Sequence, residues 1–194
     1  MSELISDQKR MTDIQALSID DILPGARITA ASVENAATSS FLISGAGGSI
    51  GSEITRQILL NNPKIIILFE MSEFNLFKIE RECSVIIRSE NLNTKLIPIL
   101  GDIRDTENLK HIFSRYSIDT VYHAAAYKHV PLVENEHNIA KAAENNILGT
   151  FNLAQAAIQN NVNSFVMIST DKAVRPTNVM GATKRFSEII IQSL

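Results

Sequence analysis

Three evenly spaced glycines follow the first strongly apolar run of the chain, and their spacing is typical of a phosphate-binding turn. Gly45, Gly48 and Gly51 form a G-x-x-G-x-x-G series between the run FLIS and a stretch with helical spacing. The first glycine permits a tight bend, the second lets a pyrophosphate approach the backbone, and the third lets helix and strand pack closely. The free N–H groups and the helix dipole at the N-terminus of the following helix would attract the negative charge of the phosphates. We predict a dinucleotide-binding turn that includes Ser49 and Ile50; the alternative is a turn without a ligand.

Two acidic residues follow the next apolar runs. Glu70 ends the second run, where a carboxylate can accept hydrogen bonds from an adenosine ribose and repel a 2′-phosphate. This favours NAD over NADP as the cofactor, although NADP is still compatible with the pattern. The alternative for Glu70 is a capping or solvated acid. Asp102, with Ile103 beside it, could receive the adenine amino group, or it could cap a turn.

Small residues after the fourth apolar run leave room for the other half of a dinucleotide. Ala124, Ala125 and Ala126 would let a flat nicotinamide-ribose unit lie against the backbone. We also assign Asn146 to the cofactor-binding set. Because an Asn within a helix needs a buried partner or solvent, a structural role is its alternative.

The composition argues against several other kinds of protein. The 18 Lys and Arg against 21 Asp and Glu give a net charge of -3, so no positive field exists to gather nucleic acid. The single cysteine, Cys83, cannot form an internal disulfide and fits a reducing compartment. No metal site is expected, because paired carboxylate ligands at helical spacing do not accompany the four histidines, His111, His123, His129 and His137.

The apolar runs are also far shorter than the roughly 20 residues that span a bilayer. The first ten residues are too polar for a signal peptide, so we expect a cytoplasmic protein.

The elements that must position these residues are short apolar runs separated by amphipathic stretches. Runs that are continuous rather than alternating indicate strands buried on both faces, as in a parallel sheet between helices. We predict an α/β fold, a Rossmann-like doubly wound parallel sheet over residues 40–194, after a lead-in of residues 1–39 with one short helix. The strands are predicted near 40–44, 65–70, 95–100, 120–124 and 164–169. The helices are predicted over 53–61, 73–88, 107–116, 139–160 and from Asn178 to the end.

The carboxyl ends of parallel strands form the ligand crevice of such a sheet. Residues after the fifth strand, Ser169 to Lys172, and the start of the last helix, Met180 to Lys184, should therefore face the cofactor. The alternative for Asp171 and Lys172 is an ordinary surface position.

Taken together, these motifs resemble a known family. Gly45 to Gly51 with Lys184 resembles the extended short-chain dehydrogenases/reductases. One branch, the nucleotide-sugar 4,6-dehydratases of bacterial polysaccharide biosynthesis, typified by UDP-N-acetylglucosamine 4,6-dehydratase, is similar over residues 40–193. The similar runs are GAGGSIGSEITRQIL, ILFEMSEFNL, GDIRD, VYHAAAYKHVPLVE, NILGT and FVMISTDKAVRPTNVMGATKR.

The resemblance also implies what surrounds this part of a longer protein. Residues 19–27 are similar to the segment before this domain in long, membrane-anchored members, and family members continue beyond Lys184 into further strands and a substrate domain. We therefore expect a fragment without those C-terminal strands and without the substrate domain. Membrane anchoring is expected only through segments outside the chain. Two helices of this family commonly pair between subunits, so a homo-oligomer is a further expectation.

The family's reaction assigns roles by resemblance. Hydride leaves sugar C4, a base removes the C5 proton, an acid protonates the departing 6-hydroxyl, and hydride returns to C6. Asp171 would be the acid with a raised pKa, and Lys172 the base with a lowered pKa. Lys184 would bind the nicotinamide ribose hydroxyls, and Ser169 or Thr170 would hold the 4-hydroxyl.

The remaining matched residues lie on the sugar side of the predicted site. Lys128, Arg175 and Asn178 match motifs that line it, with surface positions as the alternative. Met180 stands where most of the wider family has a Tyr, as in the long branch, and a thioether cannot accept the 4-hydroxyl proton. The base at C4 is therefore Asp171, Thr170 or a water. A nucleotide-sugar 4-epimerase or reductase and a non-catalytic dinucleotide-binding module are the alternative functions.

Overall fold

The computed structural model describes residues 36–194 as a parallel sheet with helices on both faces. The predicted helix of the lead-in lies outside these residues. The strands are β1 Ser40–Ser44, β2 Ile65–Glu70, β3 Lys95–Leu100, β4 Thr120–His123 and β5 Ser164–Met167. The helices are α1 Ser49–Leu59, α2 Glu73–Ser89, α3 Thr106–Arg115, α4 Val130–Val133, α5 Glu136–Ala143, α6 Thr150–Gln159 and α7 Val179–Ser193. A π-helical segment, Glu144–Gly149, joins α5 to α6, and short 3-10 turns cover Ala36–Thr38 and Asp171–Ala173.

The strand order is β3-β2-β1-β4-β5, and every pair is parallel. After β1 the chain adds β2 and β3 on one side of it, and then crosses over to add β4 and β5 on the other side. At the carboxyl edge Ser44 pairs with both Phe69 of β2 and His123 of β4. Such a reversal of strand order opens a crevice between β1 and β4, where ligands bind in open α/β sheets. The predicted doubly wound fold is confirmed.

The central strand shows why the apolar runs are continuous. All five residues of β1 are buried. Leu42 packs in a cluster with Leu109 of α3 and Leu153 of α6. Because successive strand residues point to opposite faces, Phe41 and Ile43 face the other side, where α1 and α2 pack against β1, β2 and β3. Both faces of β1 are therefore covered.

The helix predicted over 139–160 is the main difference from expectation. It begins at Glu136, after Asn135 caps it by accepting a hydrogen bond from His137 N, and the π-helical segment interrupts it. A short helix, α4, precedes it. The apolar spacing of this stretch gave no sign of the π-helical turn. No helix within residues 36–194 has both the length and the apolar character needed to cross a bilayer.

Candidate functional site

A cavity of about 400 Å³ opens at the carboxyl edge of the sheet. It brings together most residues that the sequence predicted for the site, from the glycine turn to α7. Those in its wall are Gly45, Gly48, Ser49, Ile50, Gly51, Glu70, Asp102, Ile103, Ala124, Ala125, Ala126, Lys128, Ser169, Thr170, Lys172, Met180 and Lys184. The wall also contains residues that sequence reasoning missed, among them Met71, Asn75, Tyr127, Asn145 and Ile168. Four predicted residues, Asn146, Asp171, Arg175 and Asn178, are not in the wall.

The glycine turn has the geometry of a phosphate cradle. Gly45 has φ +69°, a conformation that L side chains rarely adopt, and a Cβ there would lie 2.7 Å from Ala125 N. A Cβ on Gly51 would collide with the carbonyl oxygen of Gly45, so α1 can begin this close to β1 only with glycine. A Cβ on Gly48 would meet only Gly45 O, at 3.2 Å, and would otherwise extend into open space. The cradle fits a pyrophosphate at the N-terminus of α1.

Glu70 fixes this turn from the end of β2. Its Oε2 accepts a hydrogen bond from Gly47 N and its Oε1 accepts one from Ser72 N, both at 3.0 Å. The predicted alternative, a capping acid, therefore describes part of its role, because Ser72 is the N-cap of α2. A carboxylate oxygen can accept a second hydrogen bond, so both oxygens retain capacity for a ligand hydroxyl. The ribose contact stays a prediction.

Asp102 forms a forked ion pair with Arg104 beside the cavity. Arg104 Nε lies 3.0 Å from both carboxylate oxygens of Asp102, and Arg104 N donates to Asp102 Oδ1 at 2.9 Å. The hydrogen bond from the guanidinium lowers the pKa of Asp102. The carboxylate is thus held ionised and oriented, which is compatible with the predicted adenine contact but does not test it.

His123 is fully buried behind the alanines of the cavity wall. Its Nδ1 lies 2.7 Å from Ser44 Oγ and its Nε2 lies 2.8 Å from Thr150 Oγ1. Thr150 donates its hydroxyl hydrogen to Asn146 O at 2.6 Å, so Nε2 carries the imidazole hydrogen and Nδ1 accepts from Ser44. Burial, and then the charge of Lys184, lowers the pKa of His123 to about 3. The imidazole is therefore a neutral link between β1, β4 and α6.

Asn146 corrects the predicted cofactor set. Its side chain is buried behind the wall, where Oδ1 accepts from Tyr127 N at 2.8 Å. Its Nδ2 donates to Tyr127 O and to Thr183 Oγ1, both at 3.0 Å. These contacts hold the π-helical segment against α7 and the loop after β4. The geometry fits the structural alternative, since the amide nitrogen and oxygen are both engaged within the protein.

Lys184 is the most buried cation of the wall. Its residue surface is 6% exposed, and within residues 36–194 its ammonium makes no hydrogen bond or ion pair. Burial lowers the pKa of Lys184, while the charge of Glu188 opposes that shift. An ammonium held in this way at the cavity surface is available to ligand hydroxyls.

The turn after β5 differs from expectation at Asp171. The side chain of Asp171 is 90% exposed and is not part of the cavity wall, whereas Lys172 is. The hydroxyl of Thr170, which donates to Asp171 Oδ1 at 3.0 Å, and then the charge of Lys172 lower the pKa of Asp171. The expected raised pKa is wrong for the described residues, because the Thr170 hydrogen bond and the Lys172 charge outweigh the desolvation of this exposed carboxylate.

Two residues assigned to the sugar side also lie elsewhere. Arg175 is exposed, with φ +52°, in the loop before α7. Asn178 is the N-cap of α7, where its Oδ1 accepts a hydrogen bond from Gly181 N at 2.7 Å. Neither lines the cavity, so their assignment as substrate ligands is not supported by their positions. Lys128 lines this cavity and also a second one.

The second cavity, of about 430 Å³, shares Ala126, Tyr127 and Lys128 with the first. Met180 lies between the two: it lines the first cavity and packs against Val133 and Ala142, which line the second. Its thioether is buried in an apolar cluster rather than presented as a proton acceptor.

Comparisons with known proteins agree with this geometry. A family model described as "Polysaccharide biosynthesis protein" matches residues 41–194. The capsular polysaccharide biosynthesis protein CapD of Staphylococcus aureus is 39% identical over 197 residues, which span 100% of this chain and 32% of that protein. A UDP-N-acetylglucosamine 4,6-dehydratase (inverting) of Campylobacter jejuni is 37% identical over 76% of this chain and 41% of that protein. A UDP-glucose 4-epimerase of Rickettsia prowazekii is 33% identical with the same coverage, 76% and 41%.

A solved structure has the same architecture. The X-ray structure of Pen from Bacillus thuringiensis is 37% identical, with a TM-score of 0.69 over 80% of this chain and 45% of that chain. The present chain thus spans less than half the length of each of these proteins. With its glycine cradle, strand order and matched residues, the chain belongs to the polysaccharide biosynthesis protein family.

Proposed function

We propose that the chain is the cofactor-binding part of an NAD-dependent nucleotide-sugar 4,6-dehydratase that acts on UDP-N-acetylglucosamine in bacterial surface polysaccharide biosynthesis. One observation carries the proposal: a single cavity joins the glycine cradle, the Glu70 carboxylate, the buried Lys184 ammonium and the Lys172 side chain. The similarity to a named UDP-N-acetylglucosamine 4,6-dehydratase supports the substrate class.

The residues of the wall divide into a binding group and a reacting group. The N–H groups at the start of α1 would receive the pyrophosphate, and Glu70 would accept the adenosine ribose hydroxyls and disfavour NADP. Lys184 would hold the nicotinamide ribose. A bound nicotinamide would supply the hydride chemistry of the reaction, which is oxidation at sugar C4 and reduction at C6.

Proton transfer would fall to the turn after β5. Lys172, in the wall, would remove the C5 proton once the 4-ketone has formed, and Ser169 or Thr170 would hold the 4-hydroxyl. Asp171 would protonate the departing 6-hydroxyl. Because Asp171 faces solvent and its pKa is lowered in the described residues, this role requires the turn to be covered when substrate binds.

Product mass tests the proposal directly. UDP-N-acetylglucosamine and NAD are incubated with this chain and, in parallel, with a version extended through the expected substrate domain. Loss of about 18 Da, the mass of one water, from the sugar nucleotide in the extended protein is the expected result. An unchanged mass in both samples, with NAD bound, would reject dehydration of this substrate.

A 4-epimerase is the second candidate, because the chain is also similar to a named UDP-glucose 4-epimerase. An epimerase needs the glycine cradle and Lys184 but not a C5 base. Its product has the same mass as its substrate, so separation of the two epimers, rather than a mass change, would identify it.

We also propose that the protein is a homo-oligomer. Helices α6 and α7 pack against each other and expose large apolar side chains, Phe151 at 39%, Phe186 at 58% and Ile189 at 47%. Phe186→Glu should reduce the oligomer to a monomer in analytical ultracentrifugation and leave NAD affinity unchanged. A wild-type protein that is already monomeric at high concentration would contradict this expectation.

A further inference from the structure

Ser169 and Lys184, on two different elements of the wall, share a neighbour that the sequence did not single out. The hydroxyl of Ser169 donates a hydrogen bond to Glu188 Oε1 at 2.5 Å. Glu188 lies on α7 one turn after Lys184, and its Oε2 accepts a hydrogen bond from Arg185 Nη1 at 2.8 Å. One carboxylate therefore ties the loop after β5 to the helix that carries Lys184.

Glu188 is also the nearby anion for Lys184. Burial lowers the pKa of Lys184, and the negative charge of Glu188 raises it. The other charged side chains in the wall of this cavity are Glu70 at the end of β2, Asp102 after β3, Lys128 after β4 and Lys172 in the turn after β5. His123 on β4 is buried and neutral, and Arg185 on α7 is paired with Glu188. Loss of the Glu188 charge would leave Lys184 among these groups without a neighbouring carboxylate on α7.

We propose that Glu188 is a positioning residue: it fixes the Ser169 hydroxyl against α7 and supplies the negative charge nearest to Lys184 along that helix. The hydrogen of the Ser169 hydroxyl is committed to Glu188, as that of Thr170 is to Asp171, so Ser169 would meet the sugar 4-hydroxyl as a hydrogen-bond acceptor. This consequence for the sugar rests on the proposed function, whereas the link between Glu188 and Lys184 does not.

The charge of Lys184 can be measured without cofactor or sugar. The rate of acetylation of Lys184 is followed by mass spectrometry as a function of pH, since only the neutral amine reacts. Glu188→Gln keeps an oxygen that can accept from Ser169 but removes the charge. We expect the midpoint pH for Lys184 to fall and the rate at a fixed pH below it to rise about three- to tenfold, because the neutral amine becomes more populated.

A second variant should shift the midpoint pH of Lys184 acetylation in the opposite direction. Arg185→Ala removes the cation that offsets Glu188, so the midpoint for Lys184 should move to higher pH. Glu107→Gln is the matched control, because Glu107 forms a similar exposed pair with Lys110 on α3, far from the cavity. Circular dichroism establishes that each variant folds.

An unchanged midpoint in Glu188→Gln overturns the inference. So does a change in acetylation rate that is equal at every pH, because a loosened structure alters exposure without altering proton affinity. NAD titration of the wild-type chain separates this result from the proposed function. If the wild-type chain does not bind NAD but the Lys184 midpoint shifts in Glu188→Gln, only the proposed function is rejected. If the wild-type chain binds NAD but the midpoint does not shift, only the role of Glu188 is rejected.

Discussion

The two ends of the cavity are built in different ways. At the glycine cradle the contacts are made by backbone: Gly45 N donates to Phe69 O at 2.8 Å, and Glu70 accepts from two backbone N–H groups. At the turn after β5 the contacts are made by exposed side chains, such as Asp171 with Thr170 and Lys172. Backbone contacts at buried positions are set when the sheet forms, whereas exposed ion pairs contribute little and move easily.

This difference indicates that the proposed cofactor site is preformed in the described residues, whereas the proposed proton-transfer site is not. The cradle needs no further part of the protein to reach its geometry. Asp171 needs a change of surroundings before it can act as an acid. Four substitutions test this difference between the two ends of the cavity.

Lys172→Ala should have the largest effect. In a protein extended through the substrate domain, loss of the C5 base should lower kcat by roughly 100- to 10,000-fold, the usual contribution of a general base. NAD affinity should be unchanged, because the cradle lies at the other end of the cavity. Lys110→Ala, on the exposed face of α3, is the control for loss of a lysine. Wild-type turnover in Lys172→Ala would favour the epimerase, and an extended wild-type protein without any turnover would favour the non-catalytic module.

Gly48→Val should separate binding from folding at the cradle. Gly48 has φ -71° and ψ 169°, which valine tolerates, and its Cβ would meet only Gly45 O. The side chain would occupy the pyrophosphate position, so NAD affinity measured by calorimetry should fall about 100-fold, roughly 2.7 kcal/mol, with the fold retained. Gly51→Val, by contrast, should unfold the chain through its collision with Gly45. Unaltered NAD affinity in Gly48→Val would reject the cradle as the phosphate site.

His123 should make the free energy of unfolding of the chain decrease in acid. Its pKa is about 3 in the folded chain and about 6.5 in the unfolded chain, so the unfolded state binds more protons between these values. The contribution of neutral His123 to the free energy of unfolding is therefore fully present above pH 6.5. It should be lost, by at most about 1.4 kcal/mol per pH unit, as the pH falls toward 3. Urea unfolding of wild type and His123→Asn across this range should show a flatter profile for the variant.

His137→Gln is the control for this experiment, because His137 is exposed. Identical pH profiles for wild type and His123→Asn would mean that the imidazole does not have the buried, neutral state described above.

Glu70→Gln should have the smallest effect. The amide lacks the negative charge that repels a 2′-phosphate. Its NH₂ group would also face one of the two backbone N–H groups that now donate hydrogen bonds to Glu70. The ratio of NAD to NADP affinity should fall about tenfold, roughly 1.4 kcal/mol. Glu73→Gln, three residues further along and exposed, is the matched control. An unaltered ratio would show that cofactor preference lies elsewhere.

Much of the fold was predictable because its signals are local. The run IIILF is apolar throughout because β2 lies inside the sheet with both faces covered, and each of the five strands was recognised from a short, largely apolar run. The π-helical break was not predicted from the apolar spacing, and the contacts of Asn146 within it are with Tyr127 and Thr183, 19 and 37 residues away in the sequence. Glu188 carried a weak signal, four residues after Lys184 on the same helix face.

The order of the strands along the chain, the glycine spacing and the chemical types at the site could be read from the amino-acid sequence, since these follow from periodicity and from residue identity. Which of the predicted residues meet depended on the packing of the whole domain. It brought Lys172 and Lys184 to one cavity and left Asp171 in solvent. Proximity and burial arise from the packing of distant segments, and burial is what determines whether an ionisable side chain keeps or changes its ordinary pKa.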